Sequence, residues 1–370
     1  MKPHRVIVRL LGMMLGTFPL AASADDAPKP APAAIPAEAA KNAPPAKPAP
    51  PPVKPPAEAA LRSTINKSLG FLAKEGEQWM SDRSCNGCHH LPTLLWSHRE
   101  AKQRGFPVDH DKFAEWLFWA NESAAGKSSG SYEVFAYLIM AVPDHPAPVL
   151  TQRIAAEQKA DATPKPPVKP VDMTGAAIPV ASDPASLRTL LLALASPPTP
   201  LPENDPARDK AAAELKKMAP AKTIDSLVYR TLYARRFGKP EDAKSLCDQI
   251  LKLQRGDGGW SQGIGTNQSD PLATGQALYV LQPATDPKTA DAVARAQNWL
   301  VGLQREEGSW PIDYAFLSTT DRSAPDKASS RKNVTMIYTF WGSAWATIGL
   351  LQAFPVKEDT PHETAAVLGN

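Results

Sequence analysis

Apolar side chains recur every three or four residues through most of the chain after residue 57, as in the series Leu61, Ile65, Leu69 and Leu72. This spacing places apolar side chains on one face of a helix. The same pattern predicts further helices over 211–218, 224–237, 240–254, 272–281, 287–304 and 333–354. No segment shows the strict alternation typical of strands, so the sequence predicts an all-α fold.

Proline-rich segments flank and interrupt the helical pattern. Residues 25–56 are largely Pro, Ala and Lys, a composition that favours extended polyproline conformations and predicts a disordered linker. A second proline-rich stretch at 161–184 predicts a surface loop inserted into the helical domain, which spans 57–356. We expect 357–370 to form a disordered tail.

The first 24 residues have the pattern of a secretory signal peptide. Lys2 and Arg5 belong to a basic start, 10–20 form a short apolar run, and small residues end the segment at Ala24. A membrane anchor is the alternative, but the run is shorter than the ~20 residues of a spanning helix. We therefore expect an exported protein of the periplasm or cell envelope, with no membrane span in its mature chain.

The charge balance narrows the range of partners. The formal net charge is +3 over 370 residues, without a basic helix or aromatic–basic interleaving. This pattern predicts no nucleic-acid partner. A small molecule or another envelope component is the expected partner, and the sequence does not identify it.

Two predicted helices are followed by nearly the same turn. Residues 253–260 read Leu-Gln-Arg-Gly-Asp-Gly-Gly-Trp, and residues 303–310 read Leu-Gln-Arg-Glu-Glu-Gly-Ser-Trp. A weaker copy, with Gly76 and Trp79, lies in the first helical segment. We expect each helix to end at a left-handed glycine, the tryptophan to fold back between helix ends, and the glutamine to bind the end of a neighbouring helix.

These turns resemble the QW repeats of squalene-hopene cyclases, within the α/α-toroid group that includes protein prenyltransferase β subunits. Residues 270–278 and 342–351 are similar to inner helices of that group. The resemblance implies an α/α toroid, a barrel of helical hairpins with inner and outer rings, incomplete or interrupted by the Pro-rich inserts.

The resemblance does not extend to the chemistry of those enzymes. Squalene-hopene cyclases protonate an alkene with an Asp-x-Asp-Asp motif, which this chain lacks. Asp270, the nearest candidate, precedes a proline and is predicted to cap a helix. The zinc-binding Asp, Cys and His set of prenyltransferases is also absent, since Cys247 has no histidine in its region and is predicted to be a core residue.

The sharpest motif is Cys85-Asn86-Gly87-Cys88-His89. C-x-x-C-H is the attachment signature of c-type haem, in which both cysteines bind the haem edge and the histidine ligates iron. The sequence therefore predicts haem c at Cys85, Cys88 and His89. A distal ligand is unknown, and the candidates are His90, His98 and Met140, with His98 more typical of a hydrogen-bonded packing histidine.

Two other interpretations of this motif remain open. Cys85 and Cys88 of an exported chain can form a disulfide or remain thiols without any cofactor. A zinc site could instead combine both cysteines with His89, His90 or His98.

Other candidate residues are weaker. Asp313 and Tyr338 could serve an enzyme that acts on an apolar or polymeric substrate in the toroid cavity, whereas Asp257 is predicted to satisfy its own turn. Tyr338, Trp341 and Trp345 form an aromatic stripe that predicts core packing or cavity lining. Three hypotheses follow: a binding or redox protein with haem, a cyclase- or lyase-like enzyme, and a non-catalytic interaction scaffold.

Overall fold

In this computed structural model the described residues are 52–83, 90–125, 132–143, 151–152, 154–156, 190–195, 210, 212–213, 216–217, 220–221, 223–263, 268–312 and 324–357. They all belong to the second of the chain's two units, Pro52–Asn370. The signal peptide, nearly all of the linker, the insert loop, and Cys85, Cys88, His89 and Asp313 lie outside the described residues.

The described part of the chain forms nine named helices and only isolated bridges of β type, which confirms the all-α prediction for these residues. The helices are α1 (Glu58–Arg83), α2 (Leu91–Gln103), α3 (His110–Ala125), α4 (Tyr132–Ala141), α5 (Ile224–Phe237), α6 (Pro240–Lys252), α7 (Pro271–Leu281), α8 (Pro287–Leu303) and α9 (Ala324–Leu351). None of these helices is long and apolar enough to cross a membrane.

Short polar residues and prolines set the starts of the helices in the second half. Asp270 caps α7 by accepting the Ala273 N–H at 2.8 Å, and Asp286 caps α8 by accepting the Thr289 N–H at 3.0 Å. A proline follows each cap in the first turn, where the missing N–H costs no hydrogen bond. These local signals explain why the predicted starts of α7 and α8 lie within one residue of the observed ones.

The described helices form two layers, and the helices of the inner layer contact one another in order. Helix α5 contacts α7, α7 contacts α9, α9 contacts α2, and α2 contacts α4. The hydroxyl of Tyr229 in α5 then donates to that of Tyr137 in α4 at 2.9 Å. Outside this layer α6 packs on α5, α8 on α7, and α1 on both α9 and α2. The helical class is confirmed for the described residues, and the closed barrel implied by the resemblance stays a prediction.

The two Gly-x-Trp turns have the same geometry. Trp260 and Trp310 are fully buried, and each indole N–H donates at 2.7 Å to a carbonyl ten residues earlier, that of Ile250 or Leu300. Their backbone N–H groups donate at 3.0 Å to the hydroxyls of Thr274 and Ser343 in the helices that follow. Each tryptophan thus joins the end of one helix to the next, as the sequence predicts.

Two details of these turns differ from the prediction. The glycines in the left-handed region are Gly258 and Gly308, at φ 97° and 99°, which lie several residues beyond the helix ends. A Cβ on Gly308 would lie 2.3 Å from the Lys67 carbonyl oxygen, so the glycine allows the turn to pack against the backbone of α1. Gln304 reaches the Thr64 carbonyl of the same helix at 2.8 Å, inside the helix and not at its end.

The turn predicted at Gly76 and Trp79 is wrong, because α1 continues through both residues. Gly76 has a packing role instead: a Cβ there would lie 2.8 Å from Cδ2 of Leu94 in α2. A single helix therefore leads from the first residues of the domain to the segment that carries the Cys-x-x-Cys-His motif.

Candidate functional site

The segment 84–89 contains the motif and joins the end of α1 to the start of α2. Its geometry lies outside the described residues, so the neighbouring residues define the site. Arg83 is the last residue of α1, and Leu91 begins α2 with Pro92 in the first turn.

His90 follows the motif directly and is almost completely buried. Its ring stacks on Trp79 of α1 at a centroid distance of 4.2 Å and an interplanar angle of 16°. On α9 the Phe340 ring lies 4.0 Å from it. Aromatic contacts of this kind add to the free energy of burial. They fix the chain at the position next to His89.

His98 lies in the middle of α2, where its side chain packs between α1 and α3. Its Nδ1 lies 2.9 Å from the Leu94 carbonyl oxygen, and its ring meets the edge of Trp116 at 4.9 Å. Burial lowers the pKa of His98 to about 4, partly opposed by hydrogen bonds to the carbonyls of Leu94 and Leu69. This is the geometry of a hydrogen-bonded packing histidine.

His98 is expected to make the fold sensitive to acid. An unfolded histidine binds a proton near pH 6.5, whereas folded His98 stays neutral to about pH 4. Stability from this group is therefore complete above pH 6.5 and decreases as the pH falls toward 4. A full proton corresponds to about 1.4 kcal/mol per pH unit, and the unfolded ring is half protonated at pH 6.5, so the loss between pH 6.5 and pH 5 is about 1.5 kcal/mol. Urea unfolding at both pH values measures it.

The control for this prediction is a His98→Gln variant. It has no titrating ring at this position, so its free energy of unfolding is expected to change less with pH than that of the wild-type chain. Equal pH dependence in the two proteins would contradict the assignment of His98 as a buried neutral histidine.

Met140 lies at the end of α4 and is partly buried against a hydrophobic cluster that includes Leu95 and Trp96 of α2. Its carbonyl accepts from the Arg99 guanidinium at 3.0 Å, which joins α4 to α2. Another methionine, Met80, lines a groove of about 350 Å³ between α1 and α3, together with Trp116 and Trp119. The same groove is lined by Glu77, Lys112 and Glu115, so it is mixed in polarity, and it lies at the end of α1 that leads into the motif.

The acidic residues of the second half have structural roles. Asp270 accepts the Ala273 N–H through one oxygen and the Gln262 N–H, at 2.7 Å, through the other. Burial raises the pKa of Asp270 to about 6, against these hydrogen bonds. Asp257 accepts the Gly259 N–H of its own turn at 3.1 Å and the Ser269 hydroxyl at 2.8 Å. Both aspartates therefore serve the turn and the cap for which the sequence predicts them.

A polar group at the start of α5 was not predicted. Burial raises the pKa of Asp225, which interacts electrostatically with Tyr229, Tyr338 and Asp270. Burial also raises the pKa of Tyr338 to about 12. The sequence places Asp225 in the first turn of α5. Its neighbours Asp270 and Tyr338 lie at the start of α7 and in α9, so only the tertiary structure brings them together.

The aromatic stripe of α9 is largely packed in the core. Tyr338 and Trp345 are buried, and the Trp345 ring lies 5.2 Å from Trp96 and 5.9 Å from Tyr279. Trp341 meets Tyr338 edge to face at 5.3 Å. The sequence left core packing and cavity lining open for this stripe, and Trp345 is packed in the core.

Cys247 is only partly buried, so its prediction as a core residue holds in part. It lines a cleft of about 470 Å³ with Arg235, Lys244 and Asp286. Burial raises the pKa of the Cys247 thiol although the Arg235 guanidinium lies 3.8 Å away. In the part of the chain that the structure covers, no three His, Cys, Asp or Glu side chains converge to hold a metal ion.

Comparison with known proteins gives likenesses among solved structures alone. No family model and no curated protein matches the chain. The chain is similar to the type II terpene cyclase MstE from Scytonema in its apo form, with a TM-score of 0.49 and 16% identity over 80% of this chain and 99% of the other. A variant of that cyclase in complex with geranylgeranyl dihydroxybenzoate gives 0.49 and 16% over 81% and 99%. Likenesses of this degree carry no argument about activity.

Proposed function

We propose that this chain is an exported binding or redox protein of the cell envelope, a cyclase-like helical scaffold that carries a c-type haem. Cys85 and Cys88 would hold the haem through thioether bonds, and His89 would ligate the iron. When bound, the haem would supply one-electron transfer or the binding of a small ligand. The observation that carries the proposal is the Cys-x-x-Cys-His motif on a chain that begins with a secretory signal pattern.

The residues around the motif are compatible with such a group. The attachment segment is only six residues long, 84–89, and it is held at one end by α1 and at the other by His90 between two aromatic rings. The groove with Met80, Trp116 and Trp119 lies along the same end of α1, and it also carries the charged side chains of Glu77, Lys112 and Glu115. The end of α1 and the buried His90 would thus position the attachment segment from both of its ends.

The zinc alternative has less support. A tetrahedral site with Cys85, Cys88 and His89 needs a fourth ligand. His98 would have to give up hydrogen bonds to the Leu94 and Leu69 carbonyls to become that ligand. His90 is enclosed by Trp79 and Phe340. The distal haem ligand stays a prediction among His90, His98 and Met140.

The enzyme alternative also has less support. Asp270 uses both carboxylate oxygens to hold backbone N–H groups, which leaves it poorly placed to deliver a proton to a substrate. Asp225 shows a raised pKa next to Tyr338, but its Oδ1 accepts the Ser226 N–H at 2.7 Å. Neither carboxyl is part of an Asp-x-Asp-Asp motif.

Haem attachment can be tested by exporting the full chain from cells that contain the cytochrome c maturation machinery. We expect a Soret band in the purified protein and a haem stain that survives denaturing electrophoresis, because thioether bonds are covalent. A Cys85→Ala/Cys88→Ala double variant is expected to lose both signals.

The matched control is Cys247→Ser, which changes the third cysteine and leaves the motif intact. This variant is expected to keep the haem. The proposal is wrong if the wild-type chain has no Soret band, or if the double variant keeps the band. Metal analysis separates the alternatives, because a zinc site would give about one zinc per chain without a stain.

A further inference from the structure

Residues 52–57 precede α1, and two of them, Val53 and Lys54, are hydrogen-bonded to side chains on the outside of α8. The Val53 N–H donates to the Asp291 carboxylate at 2.8 Å, and the Lys54 carbonyl accepts from the Asn298 amide at 2.8 Å. Asp291 and Asn298 are seven residues apart, which places them on one face of the helix. Arg295 lies between them and pairs with Asp291. We call Asp291, Arg295 and Asn298 the α8 stripe.

The α8 stripe contacts the backbone of the proline-rich segment. Proline has no backbone N–H, so the prolines before Val53 cannot donate a hydrogen bond. The backbone N–H of Val53 is the donor that reaches the Asp291 carboxylate. A hydrogen bond to an ionised carboxylate is stronger than one between neutral groups. The extended conformation of such a segment costs little ordering entropy on binding. The side chain of Val53 remains 39% exposed, so the backbone provides most of the recognition.

The sequence on the stripe occurs twice in the chain. Residues 51–55 read Pro-Pro-Val-Lys-Pro, and residues 166–170 repeat these five letters inside the insert loop. The tripeptide Val-Lys-Pro occurs at no other position of the sequence. Val168 and Lys169 therefore offer the same backbone donor and acceptor, in the same proline context, as Val53 and Lys54.

We propose that the α8 stripe is a docking site for the sequence Pro-Pro-Val-Lys-Pro, and that its second occupant is the chain's own segment 166–170. The two copies compete for Asp291 and Asn298. When the insert copy is bound, residues 52–57 are released from α8. Six released residues lengthen the tether by about 19 Å, at about 3.1 Å per residue. The exchange would change how far the helical domain reaches from whatever holds the N-terminal segment.

The inference can be tested with a synthetic peptide of residues 163–170 and three full-length proteins: the wild-type chain, Val53→Pro, and Val53→Pro/Val168→Pro. Each proline removes the N–H donor of one intramolecular copy. Saturation-transfer NMR on the peptide's valine methyl groups measures the dissociation constant and suits weak binding. Because a tethered competitor acts at a millimolar effective concentration, we expect binding to strengthen several-fold from wild type to the single variant, and again to the double variant.

Stripe variants in the double-variant background show where the peptide binds. Asn298→Ala and Asp291→Asn are each expected to weaken peptide binding by up to about tenfold, since each loses a hydrogen bond. A peptide with Val168→Pro is expected not to bind. Circular dichroism melting of every variant verifies that the helices remain folded.

Three results would overturn the inference. The first is no saturation transfer to the peptide in the double variant. The second is binding that does not depend on Asp291 and Asn298. The third is equal affinity in the single and double variants, which would mean that segment 166–170 does not reach the stripe.

Discussion

Replacing Trp310 with alanine is expected to lower the free energy of unfolding by about 3–5 kcal/mol, the usual cost of removing a large buried aromatic side chain. Trp310 is 1% exposed, and its indole N–H donates to the Leu300 carbonyl at 2.7 Å. The substitution leaves a cavity between α8 and α9 and an unpaired carbonyl at the end of α8. Urea unfolding followed by circular dichroism measures the loss.

Two further variants separate the causes. Trp310→Phe keeps most of the apolar volume and loses the hydrogen bond, so a loss of about 1–2 kcal/mol is expected. Leu303→Ala, at a 52% exposed position of the same repeat, is expected to change stability by less than about 0.5 kcal/mol. A Trp310→Ala loss no larger than that of Leu303→Ala would show that the turn does not hold the helices together.

The repeated turns show what a sequence can predict. Trp260 and Trp310 bind helix ends ten residues earlier, and the residues that make these contacts lie within the repeat itself. The caps at Asp270 and Asp286 are equally local. Local signals of this kind made the predicted bounds of α7 and α8 accurate to within about one residue.

The prediction failed where a distant contact decides the role of a residue. Gly76 and Trp79 resemble the glycine and tryptophan of a turn, but α1 continues through them because Gly76 packs against Leu94 and Trp79 against His90. The contact between Tyr137 and Tyr229, 92 residues apart, could not be found from spacing either. The Cys-x-x-Cys-His motif is readable from the sequence because its chemistry depends on local spacing, whereas its neighbours come from α1, α3 and α9.

The second repeat turn also joins the end of the domain to its beginning. Gln304 donates to the Thr64 carbonyl, and the Thr347 hydroxyl donates to that of Ser68 at 2.6 Å, 279 residues earlier. The turn after α6 binds α8 in the same way, because Gln254 donates to the Ala292 carbonyl. Helix α1 is therefore to the turn after α8 what α8 is to the turn after α6. Since α1 also leads into segment 84–89, the geometry of the proposed haem site depends on how the last repeat packs against the first helix.

The closest helix contact of the inner layer is the basis of the second large effect. Gly275→Ala is expected to destabilise the fold by about 3 kcal/mol, at the upper end of the cost of overpacking a core. A Cβ on Gly275 would lie 2.2 Å from the backbone carbonyl atoms of Trp345 in α9. Backbone atoms cannot rotate away as a side chain can, so α7 and α9 would have to separate. Thermal or urea unfolding measures the loss.

Gly70→Ala provides the matched control, because it adds the same methyl group inside helix α1 with no atom within 4 Å. There the better helix propensity of alanine is expected to stabilise the protein by about 0.5–1 kcal/mol. Opposite signs for the two substitutions would assign the cost to the contact between α7 and α9. If Gly275→Ala were as stable as Gly70→Ala, α7 and α9 could not be in backbone contact at this position.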